Sequence, residues 1–146
     1  MMLATDKYKN CKNEQQFKML FIRNELQRKD NAVFCIETEE TVLGFPDVML
    51  VRQEVYHDMK RDITLPGNFT EFYEFKISDA YGNIKFKPTQ PSFYKRHDKL
   101  NVQVVALNRK SGKVHIFSTG DLAMQKSKYF LNAHNSVSLD KAEAIL

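Results

Sequence analysis

Glu71-Phe72-Tyr73-Glu74-Phe75-Lys76-Ile77 is the stretch on which the fold turns. It is rich in aromatic residues and has the length of an ordinary strand. Side chains alternate along a strand, so Glu74 and Lys76 share one face while Tyr73 and Phe75 take the other. A carboxylate and an ammonium set in an apolar strand are costly unless they are paired or bound to a metal. Two arrangements meet that requirement: a salt bridge on a solvent-facing edge strand, or a functional site.

Upstream, Gly44-Phe45-Pro46-Asp47 leads into a second run, Pro46–Val51, that is mostly apolar on both faces, as a central strand is. Proline is tolerated at the first position of a strand. At average residue usage, chance supplies about half a Glu-x-Lys and about half a Pro-Asp in a chain of this size. The weight therefore rests on the order of the two motifs and on their strand settings.

Outward from these strands, Asn13–Arg28 reads as an amphipathic helix. Phe17, Leu20, Phe21 and Asn24 recur at three- and four-residue spacing, and Ile22 and Leu26 widen the stripe. Asn13 suits the N-cap and Glu14 the positive end of the helix dipole. Ala32–Ile36 is a short strand, followed by the acidic residues Glu37, Glu39 and Glu40. Arg52–Asn68 is mixed and polar, an extended hairpin or a loop, and closes on the turn signal Pro66-Gly67-Asn68. Tyr81-Gly82-Asn83 marks another turn. A second helix is predicted from Thr89–Pro91 to about Lys99, since proline is welcome in a first helical turn. Val102–Leu107 and Val114–Phe117 are two further strands, and a last helix is predicted from Asp121, with Leu122, Met124 and Tyr129 for packing.

The order α-β-β-β-α-β-β-α predicts an α/β domain over 13–131, with a central mixed sheet flanked by helices. Residues 1–12 read as an N-terminal extension and 132–146 as a small, polar C-terminal tail.

The chain has 146 residues, 42% hydrophobic and 27% charged, which suits one globular domain and argues against disorder throughout. Its net charge is +4 and its pI about 9.0, a bias compatible with a polyanionic partner. Lys85, Lys87, Lys95, Arg96 and Lys99 crowd one region; Arg109, Lys110 and Lys113 form a second. Cys11 and Cys35 lack metal-ligand spacing, and Cys35, inside an apolar run, is predicted to be a buried free thiol. The polar first residues lack the apolar core of a secretory signal, and no segment reaches the roughly 20 apolar residues of a membrane span. A reducing, cytoplasmic setting is the expectation, with no membrane partner.

With its motifs in this order, the chain resembles the PD-(D/E)XK nuclease superfamily, whose restriction-endonuclease-like core is a helix, a three-stranded unit, a helix and a further strand. Gly-x-Pro-Asp, Glu-x-Lys and a Gln at a helix start are most similar to the VRR-NUC and Holliday-junction-resolvase-like branch. The resemblance covers Asn13 to Phe117 and implies a bound Mg2+ or Mn2+. It makes Asp47 the shared ligand, Glu74 the second carboxylate and the Phe75 backbone carbonyl the third oxygen; hard oxygen donors select such cations. It gives Lys76 the task of orienting or deprotonating the attacking water.

A first-helix glutamate often joins such sites, binding a second metal or a water. Glu14 is the first candidate here and Glu25 the second. Gln90 and Tyr94 reproduce the Gln-x-x-x-Tyr spacing of RecB-like nucleases, one helix face apart by a turn. Pro91 disfavours helical geometry at Gln90 and would move it to the cap, which still suits an anion site. His57, His97, His115 and His134 show no metal spacing, and the first helix carries no histidine, which argues against the cap-snatching branch.

The activity implied is hydrolysis of DNA phosphodiesters, selective for branched or flapped DNA, with a two-fold homodimer supplying paired sites. Tyr94, Lys85, Lys87, Lys95, Arg96 and Lys99 would hold the DNA. Two other readings stand beside it: a RecB-like single-strand exonuclease, and a nucleic-acid-binding protein that keeps the fold without catalysis. Small size and family suit a bacteriophage or mobile element.

Overall fold

Burial of aromatic rings from one helix against one strand organises the fold. The computed structural model of the chain describes residues 7–28, 30–36, 44–100, 102–119, 136–139 and 144, with the backbone alone at 54–56, 65–68 and 136. In chain order these form α1 (Glu14–Phe21) with a π-helical continuation (Ile22–Leu26), β1 (Asn31–Cys35), β2 (Val48–Asp58) and β3 (Ile63–Ile77). Then come β4 (Asn83–Lys85), α2 (Thr89–Arg96), β5 (Val102–Leu107), β6 (Val114–Ser118) and β7 (Ser136–Ser138).

Five strands make one mixed sheet in the order β1-β2-β3-β5-β6, and β4 and β7 form a separate antiparallel pair. Only β3 and β5 run parallel, joined by the crossover that contains α2. The predicted α/β class with a central mixed sheet is therefore observed. No helix among the described residues is long and apolar enough to cross a membrane.

Asn13 caps α1 as expected, its side chain accepting from the Gln16 N–H at 2.8 Å. Past Phe21 the helix widens, with the Gln27 N–H reaching the Ile22 carbonyl at 2.8 Å, and Ile22 and Leu26 stay inside. On this face of the sheet Phe17 and Phe21 meet Phe75 edge-on, at 5.7 and 5.6 Å between ring centroids. Val48, Leu50, Val105, Leu107 and Val114 complete that core layer. On the opposite face Phe93 and Tyr94 of α2 pack with Val102, Val104, Ala106 and Phe117.

Several boundaries differ from the sequence reading, each for a physical reason. Pro66-Gly67-Asn68 is not a turn but lies inside β3, paired with Val55, Glu54 and Gln53. Because β5 begins opposite Phe72, the other edge of β3 at Pro66 has no ladder partner among the described residues, and proline's missing N–H costs nothing there. The actual turn lies at 59–62. Asp58 builds it by accepting from the N–H groups of Lys60 and Arg61, and Asp62 takes a left-handed φ of 54°. Thus 52–68 is a long hairpin.

The terminal segments are corrected too. Tyr8, placed in an N-terminal extension, is fully buried against Phe17 and Phe21. Val137 and Leu139, placed in a polar tail, are buried in the second core layer, and β7 pairs with β4. Cys35 is exposed, since β1 is an edge strand and its end faces solvent. The second helix stops at Arg96, short of Lys99. The helix predicted from Asp121 and the acidic residues Glu37, Glu39 and Glu40 lie outside the described residues.

The Phe17–Phe21–Phe75 contact gives a stability prediction. Phe75→Ala should lower the unfolding free energy by about 3–5 kcal/mol, read from urea denaturation midpoints, because it empties the contact between helix and sheet.

Candidate functional site

Register brings the two sequence motifs together. Val48 lies opposite Tyr73, so one residue outward Asp47 comes opposite Glu74. Alternation then turns the Asp47 and Glu74 side chains toward the α2 face, away from the aromatic layer on α1. The Asp47 carboxylate accepts from the Phe75 backbone N–H, just past the last β2–β3 pair. A strand residue's N–H and C=O point to the same edge, so the Phe75 carbonyl faces that side as well.

Two features hold the loop before β2 against α2. Phe45 packs edge-on between Phe72 and Phe93, at 5.5 and 5.6 Å. Gly44 has a φ of 87°, and a Cβ there would stand 2.5 Å from the Thr89 carbonyl oxygen and 2.9 Å from the Phe93 Cβ. Only glycine admits both that backbone conformation and that closeness.

Glu74, Lys76 and Gln90 are 4%, 6% and 6% exposed. Lys76 Nζ donates to Gln90 Oε1 at 2.9 Å, and Gln90 Nε2 donates to Glu74 Oε1 at 2.7 Å. Lys76 and Glu74 themselves stand 3.7 Å apart, so the amide bridges a loose ion pair. The Lys87 backbone N–H also reaches Gln90 Oε1, at 3.0 Å. Lys76 Nζ lies 5.4 Å from the centroid of the Phe86 ring, which it overlies. Gln90 occupies the first turn of α2, inside the helix rather than at its cap, with Pro88 as N-cap.

Two buried oxygens have no hydrogen-bond partner among the described residues: Glu74 Oε2 and the Tyr94 hydroxyl. Burial, reinforced by the Glu74 and Asp47 charges, holds the Tyr94 phenol far above its ordinary range and therefore neutral. Burial also pushes the Asp47 carboxyl up, against Lys18, Lys76, the Phe75 N–H and Lys87. Glu74 is pushed from 4.5 to about 7, first by burial and then by Asp47, with Glu14 adding to it and Lys76 and Gln90 opposing.

Glu14 is exposed in the first turn of α1, and its charge acts on Glu74. Glu25 is engaged elsewhere, accepting from the Tyr8 hydroxyl at 3.1 Å and Lys7 at 3.3 Å. Lys87 acts on Asp47, and Lys85 lines an adjoining cleft with Glu14. Lys95, Arg96 and Lys99 are exposed at and beyond the far end of α2. Sequence reasoning missed Lys18. Its signal was the four-residue spacing from Glu14, which places both on one helix face.

The donor set can be tested against a divalent cation. Among the described residues no group of three or more His, Cys, Asp or Glu side chains gathers in one place. Two carboxylates and a backbone carbonyl remain, one carboxylate oxygen being buried without a partner. That set fits a small hard cation that keeps several of its own waters, as Mg2+ does. Searches against known protein families, curated proteins and solved structures find no match.

The raised Glu74 pKa sets a pH dependence in metal-free protein. Between about pH 4.5 and pH 7 the folded state holds a proton that the unfolded chain has released, so stability falls as pH rises through that window. Urea midpoints in EDTA should show this fall, and Glu74→Gln should lack it. Gly44→Ala should destabilise the protein by more than about 1 kcal/mol, through its φ and its contact with Thr89, and calorimetry checks it.

Proposed function

We propose that this protein is a divalent-metal-dependent nuclease that hydrolyses DNA phosphodiesters at the Asp47–Glu74–Lys76 cluster. One observation carries the reading: a buried carboxylate with an unpartnered oxygen, a second carboxylate just before the neighbouring strand, and a buried ammonium fixed beside the first. A purely structural ion pair has no need of a second, desolvated carboxylate that raises the cost of the first.

In this reading Asp47, Glu74 and the Phe75 carbonyl hold the metal, with Glu14 at its outer side. The cation, when bound, polarises a phosphate oxygen and makes water a better nucleophile at neutral pH. The chain's own residues do the rest. Glu74 would hold the metal as a carboxylate, so the proton that burial favours there would have to leave its side chain. Lys76, fixed by Gln90, presents an ammonium where negative charge develops on the phosphate; its rigidity means little reorganisation in the transition state. Gln90 keeps Glu74 and Lys76 apart at 3.7 Å, so neither is lost to a tight mutual salt bridge. Lys18 and Lys87, whose charges act on Asp47, attract the polyanionic backbone.

Branched or flapped DNA, cut by a two-fold homodimer, is the substrate form this proposal favours. Gln90 and Tyr94, close to Glu74 on one face of α2, favour a second reading, a RecB-like single-strand exonuclease. Incubation with Mg2+ or Mn2+ on linear, circular, flapped and four-way DNA separates the two, because an exonuclease spares circles.

Asp47→Ala should reduce cleavage by about 1,000-fold or more, and Lys76→Ala by about 100-fold, while both remain folded by circular dichroism. Undiminished cleavage by Asp47→Ala would remove the site assignment. DNA binding with no cleavage under any metal would leave a binding protein that keeps this fold.

A further inference from the structure

At the C-terminal end of β3, just past Lys76, lies a cleft of about 380 Å3, walled by the start of α1, the segment after β3, β4, and the turn between β5 and β6. Its volume is that of a small-molecule site. Ile77 and Ser78, which follow directly on Lys76 at the end of β3, line the cleft together with Glu14, so the chain itself joins cleft and carboxylate site. We infer that this cleft receives one unpaired nucleotide of the DNA strand, next to the phosphate at Asp47 and Glu74, with Lys85 and Arg109 gripping its phosphate. The inference rests on the nuclease reading above and narrows its substrate to DNA with a single-stranded element at the cut.

Charge and hydrogen-bonding capacity support it. Arg109 reaches across the cleft, one guanidinium nitrogen donating to the Lys12 carbonyl at 3.0 Å and its backbone N–H to Ser78 Oγ at 2.8 Å. That anchoring fixes the guanidinium while leaving further donors for a phosphate, and a fixed planar fork binds phosphate well. Lys85 stands exposed on β4, in the cleft's wall. Asp79 also lines the cleft but is committed to its own turn, accepting from Tyr81 N–H at 2.9 Å and Asn83 N–H at 3.0 Å. Asn13 spends its carbonyl on the α1 cap and keeps its amide NH2 for a base edge.

Path and size agree. From Lys85 to Lys87 the chain advances by about 7 Å at most, from the cleft to the lysine that acts on Asp47 and whose N–H holds Gln90. A nucleic-acid strand following that wall passes from cleft to carboxylates in a single step of its backbone. The walls come from four separate segments, and the cleft's volume is on the scale of a single nucleotide rather than of a base pair.

The test is fluorescence anisotropy in EDTA, where no cleavage intrudes, with the full chain and single-stranded or duplex oligonucleotides of equal length. Lys85→Ala and Arg109→Ala should each weaken single-strand binding about 5–10-fold and reduce its salt slope by about 0.7, with duplex binding changed less than about 2-fold. Lys85→Ala leaves the backbone pairing of β4 with β7 in place, so this variant reads the inference even if Arg109→Ala loosens the turn. Equal losses on both forms, or none on either, overturn it. Cleavage lost in Asp47→Ala with single-strand binding unmoved in Lys85→Ala defeats the cleft and spares the nuclease. Single-strand-selective losses in a protein that cuts nothing defeat the nuclease and spare the cleft.

Discussion

The amide of Gln90 between the Glu74 carboxylate and the Lys76 ammonium is the contact on which the rest depends. Each end of the amide matches one ion, donor to carboxylate and acceptor to ammonium. Removing it leaves two buried charges to face each other with unsatisfied valences, which low dielectric makes expensive. Because Gln90 belongs to α2 and the ions to β3, the same contact sets how the helix lies on the sheet. Gly44 and Phe45 then bring the start of β2 against that helix, and with it Asp47. Site and fold are one set of constraints on this face.

The other face is built on different terms. There Phe17, Phe21 and Phe75 interlock with aliphatic residues of β2, β5 and β6, and Glu71 takes Tyr73 and Arg52 near the sheet's far end. Phe75 belongs to both sides of this division: its ring fills the apolar layer while its backbone N–H serves Asp47. A strand's alternation makes that possible, and it explains how an expensive polar cluster persists: the neighbouring residue of the same strand supplies the burial that offsets it.

What could be read beforehand follows the range of each signal. Period-two alternation is local, so the shared face of Glu74 and Lys76 was legible, as was the helix stripe of Phe17, Phe21 and Leu26. The meeting of Asp47 with Glu74 depends on register, which no single motif states, yet two apolar strands in sequence order leave few alternatives. The hairpin was only half legible. Pro66 and Gly67 carry strong turn chemistry, and the absence of a ladder partner on their outer edge removed the penalty that would have enforced it. Tyr8, Val137 and Leu139 were hidden for the opposite reason: each is an isolated apolar residue in a polar segment, and only the tertiary core shows where it fits.

Charge was the least legible of all. Lys95, Arg96 and Lys99 are close to Gln90 in sequence, but a helix carries its last turn away from its first, and they end at the far end of α2. Lys18, distant in sequence from Asp47, is among the charges that act on it. A basic cluster in sequence therefore says that a chain can attract a polyanion, while the path of that polyanion is set by which elements converge. Here the start of α1, the end of β3, β4 and the turn between β5 and β6 converge on one cleft, from segments that lie far apart in sequence.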